Sequence, residues 1–290
     1  MIYSVTKEEL KSKLNEFVEA LELDELATKT VVSYRNAINK FIEYVPDRSF
    51  ELDKKLIMSY KNKLQEDKYA LKSRNQYIVV LNKFLIFLGL EECTVKQFKE
   101  QEKSNLEDYI EPQEHKRMLK WAKKLNNIEA YYIIKVFAAS GARVSELKYF
   151  TVENLESNYI RGAYNKGKER VLIMTNELRR DLKHYCRDRK IKTGIIFRST
   201  DEKFKNNPEK MVNVSTVWRW LKKIAKRAKI NPKKIHAHAW RHLFAKQCKN
   251  SGIDLDELAD ILGHKNINTT AIYTKTSMKE KRNKLEKIKY

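Results

Sequence analysis

The 290-residue sequence has few of the residues that break or cross-link a chain. It contains 7 Gly, 4 Pro and 3 Cys. Because glycine and proline interrupt helices, their scarcity beside abundant Leu, Lys, Glu and Ile favours a mainly helical protein. The cysteines, Cys93, Cys186 and Cys248, are widely spaced and odd in number. We therefore expect neither a disulfide framework nor a zinc site, and the reducing cytoplasm as the location.

Long apolar runs are also missing. The most apolar stretch, residues 77–90, is interrupted by Asn82 and Lys83 and is too short to cross a bilayer. The first ten residues, MIYSVTKEEL, lack the apolar segment of a signal peptide. The sequence thus predicts a protein without membrane spans and without a secretory leader.

Acidic residues are scarce relative to basic ones in the second part of the chain. The formal net charge is +22 and the pI is near 9.7. Residues 1–108 carry 18 Lys and Arg against 19 Asp and Glu, whereas residues 109–290 carry 42 against 19. Such a concentration of positive charge indicates a polyanionic partner, although a lysine-rich chain can also simply be soluble.

Four amphipathic patterns occupy the first 90 residues. Apolar residues recur at helical spacing over residues 10–21, 34–45, 56–64 and 77–88. Thr6 and Glu9 form a capping-box pattern before the first of them. Short connections between four helices predict a compact bundle. Residues 91–110 are polar with little apolar periodicity, and we interpret them as a linker.

The second part of the chain mixes helical and strand patterns. Pro112 suits the first turn of a helix, and residues 130–139 are apolar enough for a central one. Residues 159–164 and 171–174 predict two strands joined by a hairpin turn, and residues 195–197 suit a third short strand. The sequence therefore predicts a mainly α fold with a small antiparallel β-sheet.

A later helix, capped by Asn213 or Ser215, has one strongly basic face that suits phosphate contacts along a duplex. The first bundle offers fewer cations for the same purpose. The candidate DNA-binding residues are Lys29, Arg35, Lys72, Arg74, Arg219, Lys222, Lys223, Lys226, Lys233 and Lys234. The alternative is that these rows of charge are ordinary solvated helix faces.

Chemically active side chains gather near the end of the sequence. His238 and Arg241 are three residues apart, so on a helix they project from the same side. A predicted helix ends at Gly263, which places His264 just past a helix end. Tyr273 follows nine residues later. Any one of these residues is ordinarily structural, but two imidazoles, a guanidinium and a phenol together indicate a site for an anion and a nucleophile.

These residues carry a resemblance to a known family. H-x-x-R at His238 and Arg241, L-G-H at His264 and I-Y-T at Tyr273 resemble the C-terminal signature of the tyrosine recombinase, or phage integrase, family. The chain departs from the usual pattern where alanine precedes the histidine and tryptophan precedes the arginine. The departure concerns packing, and the chemical groups are retained.

Two further motifs support the resemblance. SGARVSEL is similar to the family's first-arginine box, with Arg143 as the arginine, and NKGKER is similar to its β-hairpin lysine motif, with Lys166 as the lysine. All motifs occur once and in the family's order over residues 109–275. Taken alone, Arg143 could instead pair with Glu146, and a turn lysine is usually solvated.

The resemblance implies cleavage of DNA through a 3′-phosphotyrosine. The candidate catalytic residues are Arg143, Lys166, His238, Arg241, His264 and Tyr273. Tyr273 would be the nucleophile, the arginines would hold the non-bridging oxygens, and the lysine would protonate the leaving 5′ oxygen. His264 would donate a hydrogen bond to the phosphate, and His238 would assist proton transfer or support the phosphate. No metal or other cofactor is expected, since the arginines neutralise the phosphate charge.

The resemblance also implies a domain organisation. We expect a core-binding DNA clamp over residues 1–90, a linker over 91–110, a catalytic domain over 111–276 and a helical tail over 277–290. Family members exchange such tails around a tetramer, in which four subunits on two DNA sites pass through a Holliday junction. The chain leaves no room for an extra arm-binding domain, which favours an Xer-like enzyme or a small mobile-element integrase.

Three alternatives remain at this point. Type IB topoisomerases share the same chemical groups but let DNA swivel instead of exchanging strands. A catalytically silent relative would be a DNA-binding regulator, and an unrelated helical nucleic-acid module would account for the charge alone. The order of the motifs favours a site-specific recombinase acting on double-stranded DNA, for integration, excision or resolution.

Overall fold

The computed structural model describes residues 4–99, 109–165, 168–204, 207–236, 238–264, 270, 282, 285, 286 and 288. The chain divides into two compact units, Met1–Glu102 and Lys103–Tyr290, and each is described by itself. Most of the tail predicted over residues 277–290 lies outside the described residues.

The first unit is the predicted helical bundle. Its helices are α1 (Lys7–Leu23), α2 (Thr28–Tyr44), α3 (Lys54–Glu66) and α4 (Leu71–Phe87). The capping box before α1 is confirmed, because the Glu9 N–H donates to Thr6 Oγ1 and the Thr6 N–H donates to the Glu9 carboxylate. Two short strands, β1 (Ser4–Val5) before α1 and β2 (Phe50–Glu51) after α2, pair in antiparallel fashion. The apolar stripes of the four helices form one buried core.

The first residues of the predicted linker pack onto this bundle. Asn82 donates to the Val95 carbonyl at 2.8 Å and accepts from the Val95 N–H at 3.1 Å. Asn75, two turns earlier on α4, makes the same pair of bonds with Phe98, at 3.1 and 2.9 Å. Val95 is 6% exposed. The structure therefore differs from the expected bounds, since residues 91–99 belong to the first unit.

The second unit is built around one apolar helix. Its helices are α5 (Pro112–Lys124), α6 (Ile128–Ser140), α7 (Asn176–Asp188), α8 (Val214–Arg227), α9 (Ala239–Asn250) and α10 (Leu255–Leu262). Pro112 lies in the first turn of α5, as predicted. Helix α6 packs against α5, α7, α8 and α9, and most of its side chains are buried. This central position fixes the end of α6, near which Arg143, Arg241 and His264 lie.

A two-stranded antiparallel sheet, β3 (Tyr159–Asn165) and β4 (Lys168–Ile173), accompanies these helices. Ile160 lies opposite Leu172 and Ala163 opposite Arg170, with a register shift between the two pairs. The prediction of a third strand at residues 195–197 is wrong. In the described part of the chain, Ile195 forms an isolated bridge with Thr151. The backbone groups of residues 195–197 bond with Phe150, Pro208 and Val212 in separate segments, so no continuous strand forms.

Two glycines end helices beside the candidate site. Gly141 follows α6 with φ of 59°, and Gly263 follows α10 with φ of 64°. These left-handed conformations favour glycine, which also allows close packing here. A Cβ at Gly141 would lie 2.6 Å from the Phe244 ring, and one at Gly263 would lie 2.8 Å from Arg170 Cδ. The predicted helix end at Gly263 is confirmed.

None of the helices among the described residues is both long enough and apolar enough to span a membrane.

We expect the free energy of unfolding to fall as the pH drops from about 6.5 to about 4. Burial lowers the pKa of His115 to about 4, with a further contribution from Lys135. Burial also lowers the pKa of His242 to about 4, assisted by His236 and His238. Between these pH values the unfolded chain binds protons that the folded chain does not, so acid favours unfolding.

Urea unfolding at several pH values measures this effect. The variant His115→Gln should lose stability less steeply than the wild type below pH 6, since one of the buried rings no longer titrates. Above pH 7 the two curves should run parallel, which serves as the internal control. Equal slopes below pH 6 would contradict the assignment of His115.

Candidate active site

Arg143 lies in the turn that follows α6. It precedes a 3-10 helix at Val144–Tyr149 and has an extended backbone. Its N–H donates to Glu146 Oε2 at 2.7 Å, and its Nη1 donates to Glu146 Oε1 at 2.9 Å. The Arg143 side chain is 25% exposed. The alternative pairing with Glu146 is therefore present in the structure, and it orients the guanidinium without burying it completely.

The carboxylate of Glu146 is shared with a second arginine. Arg170 Nε donates to Oε1 at 3.1 Å and Nη2 donates to Oε2 at 2.5 Å. Burial raises the pKa of the Glu146 carboxyl, but attraction and hydrogen bonding from Arg170, with help from Arg143, outweigh burial and hold the pKa below its ordinary value. Glu146 is consequently a buried anion between two guanidinium groups.

Arg241 is almost completely buried and joins two helix ends. Its Nη1 donates to the Gly141 carbonyl at 2.8 Å, and its Nη2 donates to the Leu262 carbonyl. These carbonyls lie at the C-terminal ends of α6 and α10, where the helix dipoles favour a cation. Only 2% of Arg241 is exposed. The spacing of His238 and Arg241 does not predict this burial, which the structure shows.

His264 lies against this buried arginine. Arg241 Nη2 is 3.0 Å from His264 Nε2, and His264 Nδ1 is 2.8 Å from Thr270 Oγ1. Burial lowers the pKa of His264 to about 4, with the positive charges of Arg241, Arg143 and Arg170 as further causes. The ring is therefore neutral at pH 7. Because a guanidinium cannot accept a hydrogen bond, Nε2 accepts from Arg241 and Nδ1 carries the proton toward Thr270.

His238 sits at the N-cap of α9, immediately before the helix begins at Ala239. It is exposed, and its N–H is 3.4 Å from His236 Nδ1. Its imidazole is close enough to contribute to the lowered pKa values of His242 and His264. His238 and Arg241 therefore do not share a helix face as predicted. His238 lies at the surface before the helix begins, and Arg241 lies in the core.

The cluster as a whole has an excess of positive charge. Among the residues that the structure describes here, Arg143, Arg170 and Arg241 are guanidinium groups, Glu146 is the carboxylate between two of them, and His264 is neutral. The site therefore carries about two positive charges more than negative ones. Fixed cations in a poorly solvated pocket interact strongly with an anion that enters it. The arrangement is suited to an anionic substrate group.

Two of the candidate catalytic residues, Lys166 and Tyr273, lie outside the described residues. The structure brings Arg143, Arg241 and His264 together and leaves His238 at their edge.

The candidate DNA-binding residues fall into two groups. Exposed side chains belong to Lys29, Arg35, Lys72, Arg219, Lys222, Lys223, Lys226 and Lys233. Lys234 forms two 2.9 Å bonds with the Glu114 carboxylate, so its charge is already matched. Arg74 is half-buried, and its guanidinium carbon lies 4.9 Å from the centre of the Phe98 ring. These two residues fit phosphate contacts less well than the exposed ones.

Sequence reasoning did not include Arg170 among the site residues. The sequence held no clear signal, because Val171, Leu172 and Ile173 are all apolar and only the structure shows that Arg170 and Leu172 face inward on β4. An arginine at an inward strand position requires a buried acidic or carbonyl partner. That requirement is visible only once the inward face of β4 is known, and Glu146 meets it.

Comparisons with known proteins give a family match for each part of the chain. The profile of the Phage integrase family matches residues 108–280, and the profile of the phage integrase N-terminal SAM-like domain matches residues 14–87. Tyrosine recombinase XerA of Pyrococcus horikoshii is 29% identical over 280 residues, which cover 95% of this chain and 93% of the relative.

Two solved structures share the fold. The Tn1549 transposon integrase in complex with circular intermediate DNA matches with a TM-score of 0.71 and 19% identity, over 95% of this chain and 98% of that one. A lambda integrase tetramer bound to a Holliday junction matches with a TM-score of 0.70 and 17% identity, over 93% and 77%. With the family profile covering more than half of its length, the chain belongs to the phage integrase family and is a tyrosine recombinase, an enzyme of site-specific DNA recombination.

Proposed function

We propose that the chain cleaves and rejoins double-stranded DNA at specific sites through a 3′-phosphotyrosine at Tyr273. The observation that carries this proposal is the cluster of Arg143, Arg241 and His264 around the ends of α6 and α10. The cluster provides a fixed excess of positive charge, which suits a backbone phosphate. Tyr273 follows His264 by nine residues in the sequence.

The proposed step is an in-line displacement at phosphorus. The Tyr273 oxygen forms a bond to phosphorus, and the bond from phosphorus to the 5′ oxygen breaks. The phenol proton passes to His238 or to solvent, and Lys166 gives a proton to the departing 5′ oxygen. The phosphodiester energy remains in the phosphotyrosine, so attack by a 5′ hydroxyl of another strand rejoins the DNA without ATP.

The arginines have separate duties in this proposal. Arg143 is partly exposed and oriented by Glu146, so its guanidinium is ready for a non-bridging oxygen. Arg241 lies deeper, where low dielectric strengthens its interaction with the same phosphate. Once DNA is bound, His264 no longer accepts a hydrogen bond from Arg241 and instead donates one to the phosphate. Neutral imidazole can change tautomer in this way without a change in charge.

Double-stranded DNA and other copies of this chain are the proposed partners. The lambda integrase neighbour is a tetramer on a Holliday junction, which supports exchange of strands among four subunits. The length shared with XerA supports an Xer-like enzyme, with a small mobile-element integrase as the second candidate. We propose a cytoplasmic location in association with DNA. The relatives described above are recombinases and integrases, which favours recombination over topoisomerase-like relaxation or a silent regulator.

Substitution of the nucleophile tests the reaction. The variant Tyr273→Phe should bind the recombination site with unchanged affinity and form no covalent complex, because phenylalanine has no oxygen to attack phosphorus. A nicked duplex that carries a site identified by footprinting traps the wild-type complex, which is then counted on a denaturing gel. Covalent DNA in the variant would refute Tyr273 as the nucleophile.

Substitution of Arg143 tests the phosphate site. The variant Arg143→Lys should cleave the nicked duplex about 100- to 1,000-fold more slowly, the usual cost of removing one transition-state donor. A lysine cannot span Glu146 and a phosphate with a planar fork. Arg180→Lys, the same change at an exposed position of α7, is the control and should cleave normally. Near-normal cleavage by Arg143→Lys would remove Arg143 from the site.

The basic face of α8 has a separate test. Replacing Lys222 and Lys226 with glutamine should weaken DNA binding and lower the slope of log Kd against log salt concentration by about 2, roughly one for each lost phosphate contact. The matched control replaces Lys120 and Lys124, an exposed pair with the same spacing on α5. Equal effects from both pairs would show that only total charge matters.

A further inference from the structure

Arg170 connects separate parts of the candidate active site. Two of its nitrogens donate to the Glu146 carboxylate, at 3.1 and 2.5 Å, and Nη1 donates to the Ile261 carbonyl at 3.0 Å. Its aliphatic part packs against Gly263, where a Cβ would lie 2.8 Å from Arg170 Cδ. One side chain on β4 thus contacts both the turn that holds Arg143 and the helix end that precedes His264.

The ion pair of Arg170, and not its depth, argues against a direct contact with DNA, because its charge is matched by the Glu146 carboxylate. Arg241 is buried as deeply but donates to carbonyl oxygens and to the neutral His264. The Arg170 side chain is 6% exposed, compared with 25% for Arg143. Arg170 Nη1, Nη2 and Nε are all engaged with protein acceptors. Any influence of Arg170 on a bound phosphate must therefore pass through the groups that it holds.

We propose that Arg170 is a positioning residue for DNA cleavage, which aligns Arg143 through Glu146 and His264 through the end of α10. This inference rests on the proposed function. It gives Arg170 a role in the rate of the chemical step and none in DNA affinity.

Charge balance explains the link to Arg143. Glu146 lies between two guanidinium groups, so its negative charge is divided between them. Without Arg170, the carboxylate is neutralised by Arg143 alone, and Arg143 becomes one half of a closed ion pair. The plane of its guanidinium then follows the carboxylate, and Arg143 is less well placed for the charge that develops on the phosphate in the transition state.

The contact with α10 provides the second link. Ile261 is next to Leu262, whose carbonyl accepts from Arg241, and Gly263 leads directly to His264. A donor to the Ile261 carbonyl therefore fixes the same helix end that Arg241 uses. Loss of that donor loosens the position of His264 relative to Arg241.

The experiment uses the full chain and the nicked duplex described above. Arg170→Met should form the covalent complex about 10- to 100-fold more slowly than the wild type, the usual effect of a small misplacement of catalytic groups. Its Kd for the same duplex should stay within about threefold of the wild type, since no phosphate contact is lost. Arg170→Lys, which keeps the charge, should recover part of the rate.

A matched variant separates positioning from general loss of stability. Lys135 pairs with Asp181 and joins α6 to α7 without sharing a residue with the Glu146 cluster. Thermal unfolding selects a temperature at which Lys135→Met and Arg170→Met are both folded. Cleavage by Lys135→Met should then match the wild type. An equal loss in both variants would overturn the positioning role.

A double variant tests the route through Glu146. Once Arg170 is gone, Glu146→Gln removes the charge that captures Arg143, so the double variant should cleave no more slowly than Arg170→Met alone. Multiplicative losses would overturn this route. If Arg170→Met cleaves as fast as the wild type, the inference is overturned and the proposed function stays intact. If the wild type forms no covalent complex, the proposed function itself is refuted.

Discussion

The candidate active site depends on the ion pairs that the buried Glu146 carboxylate forms with Arg143 and Arg170. A carboxylate that is 1% exposed loses several kcal/mol of hydration, and only well-placed cations offset this loss. Arg143 comes from the turn after α6 and Arg170 from β4, so the carboxylate is stable only when both segments are in place. The hairpin and the turn are therefore coupled, and the geometry of Arg143 is a consequence of folding instead of DNA binding.

Much of the fold could be predicted because its elements follow simple periodic rules. The four helices of the first unit bury the stripes that their spacing indicates, and Gly263 ends α10 as expected. The lack of apolar periodicity predicts a linker at residues 91–99, but in the structure the amide side chains of Asn75 and Asn82 attach this segment to the bundle through hydrogen bonds with its backbone. Such bonds leave no apolar period in the sequence. The apolar residues 195–197 have the composition of a strand, but their backbone groups bond with three separate segments instead of one partner strand.

The sequence could predict which residues belong to the candidate site but not how deeply each one is buried. Motifs identified Arg143, Arg241 and His264, yet a spacing of three residues says nothing about burial. His238 and Arg241 would share a face only if both were helical, and α9 begins one residue after His238. Arg241 turns inward because two helix ends converge on it, which depends on contacts between segments 100 residues apart in the sequence. Such convergence has no local signature.

The charges of the site also bear on how it would accelerate the proposed reaction. In the part of the site that the structure describes, three guanidinium groups and one carboxylate leave an excess of about two positive charges, and His264 adds none because its pKa is lowered to about 4. A phosphodiester carries one negative charge, and attack by a phenolate brings a second to the same phosphorus. The fixed charges therefore complement the transition state better than the bound substrate, which is the condition for raising the rate instead of merely tightening binding. A protonated His264 would add repulsion against Arg241, so the neutral ring preserves the arrangement that makes this complementarity available.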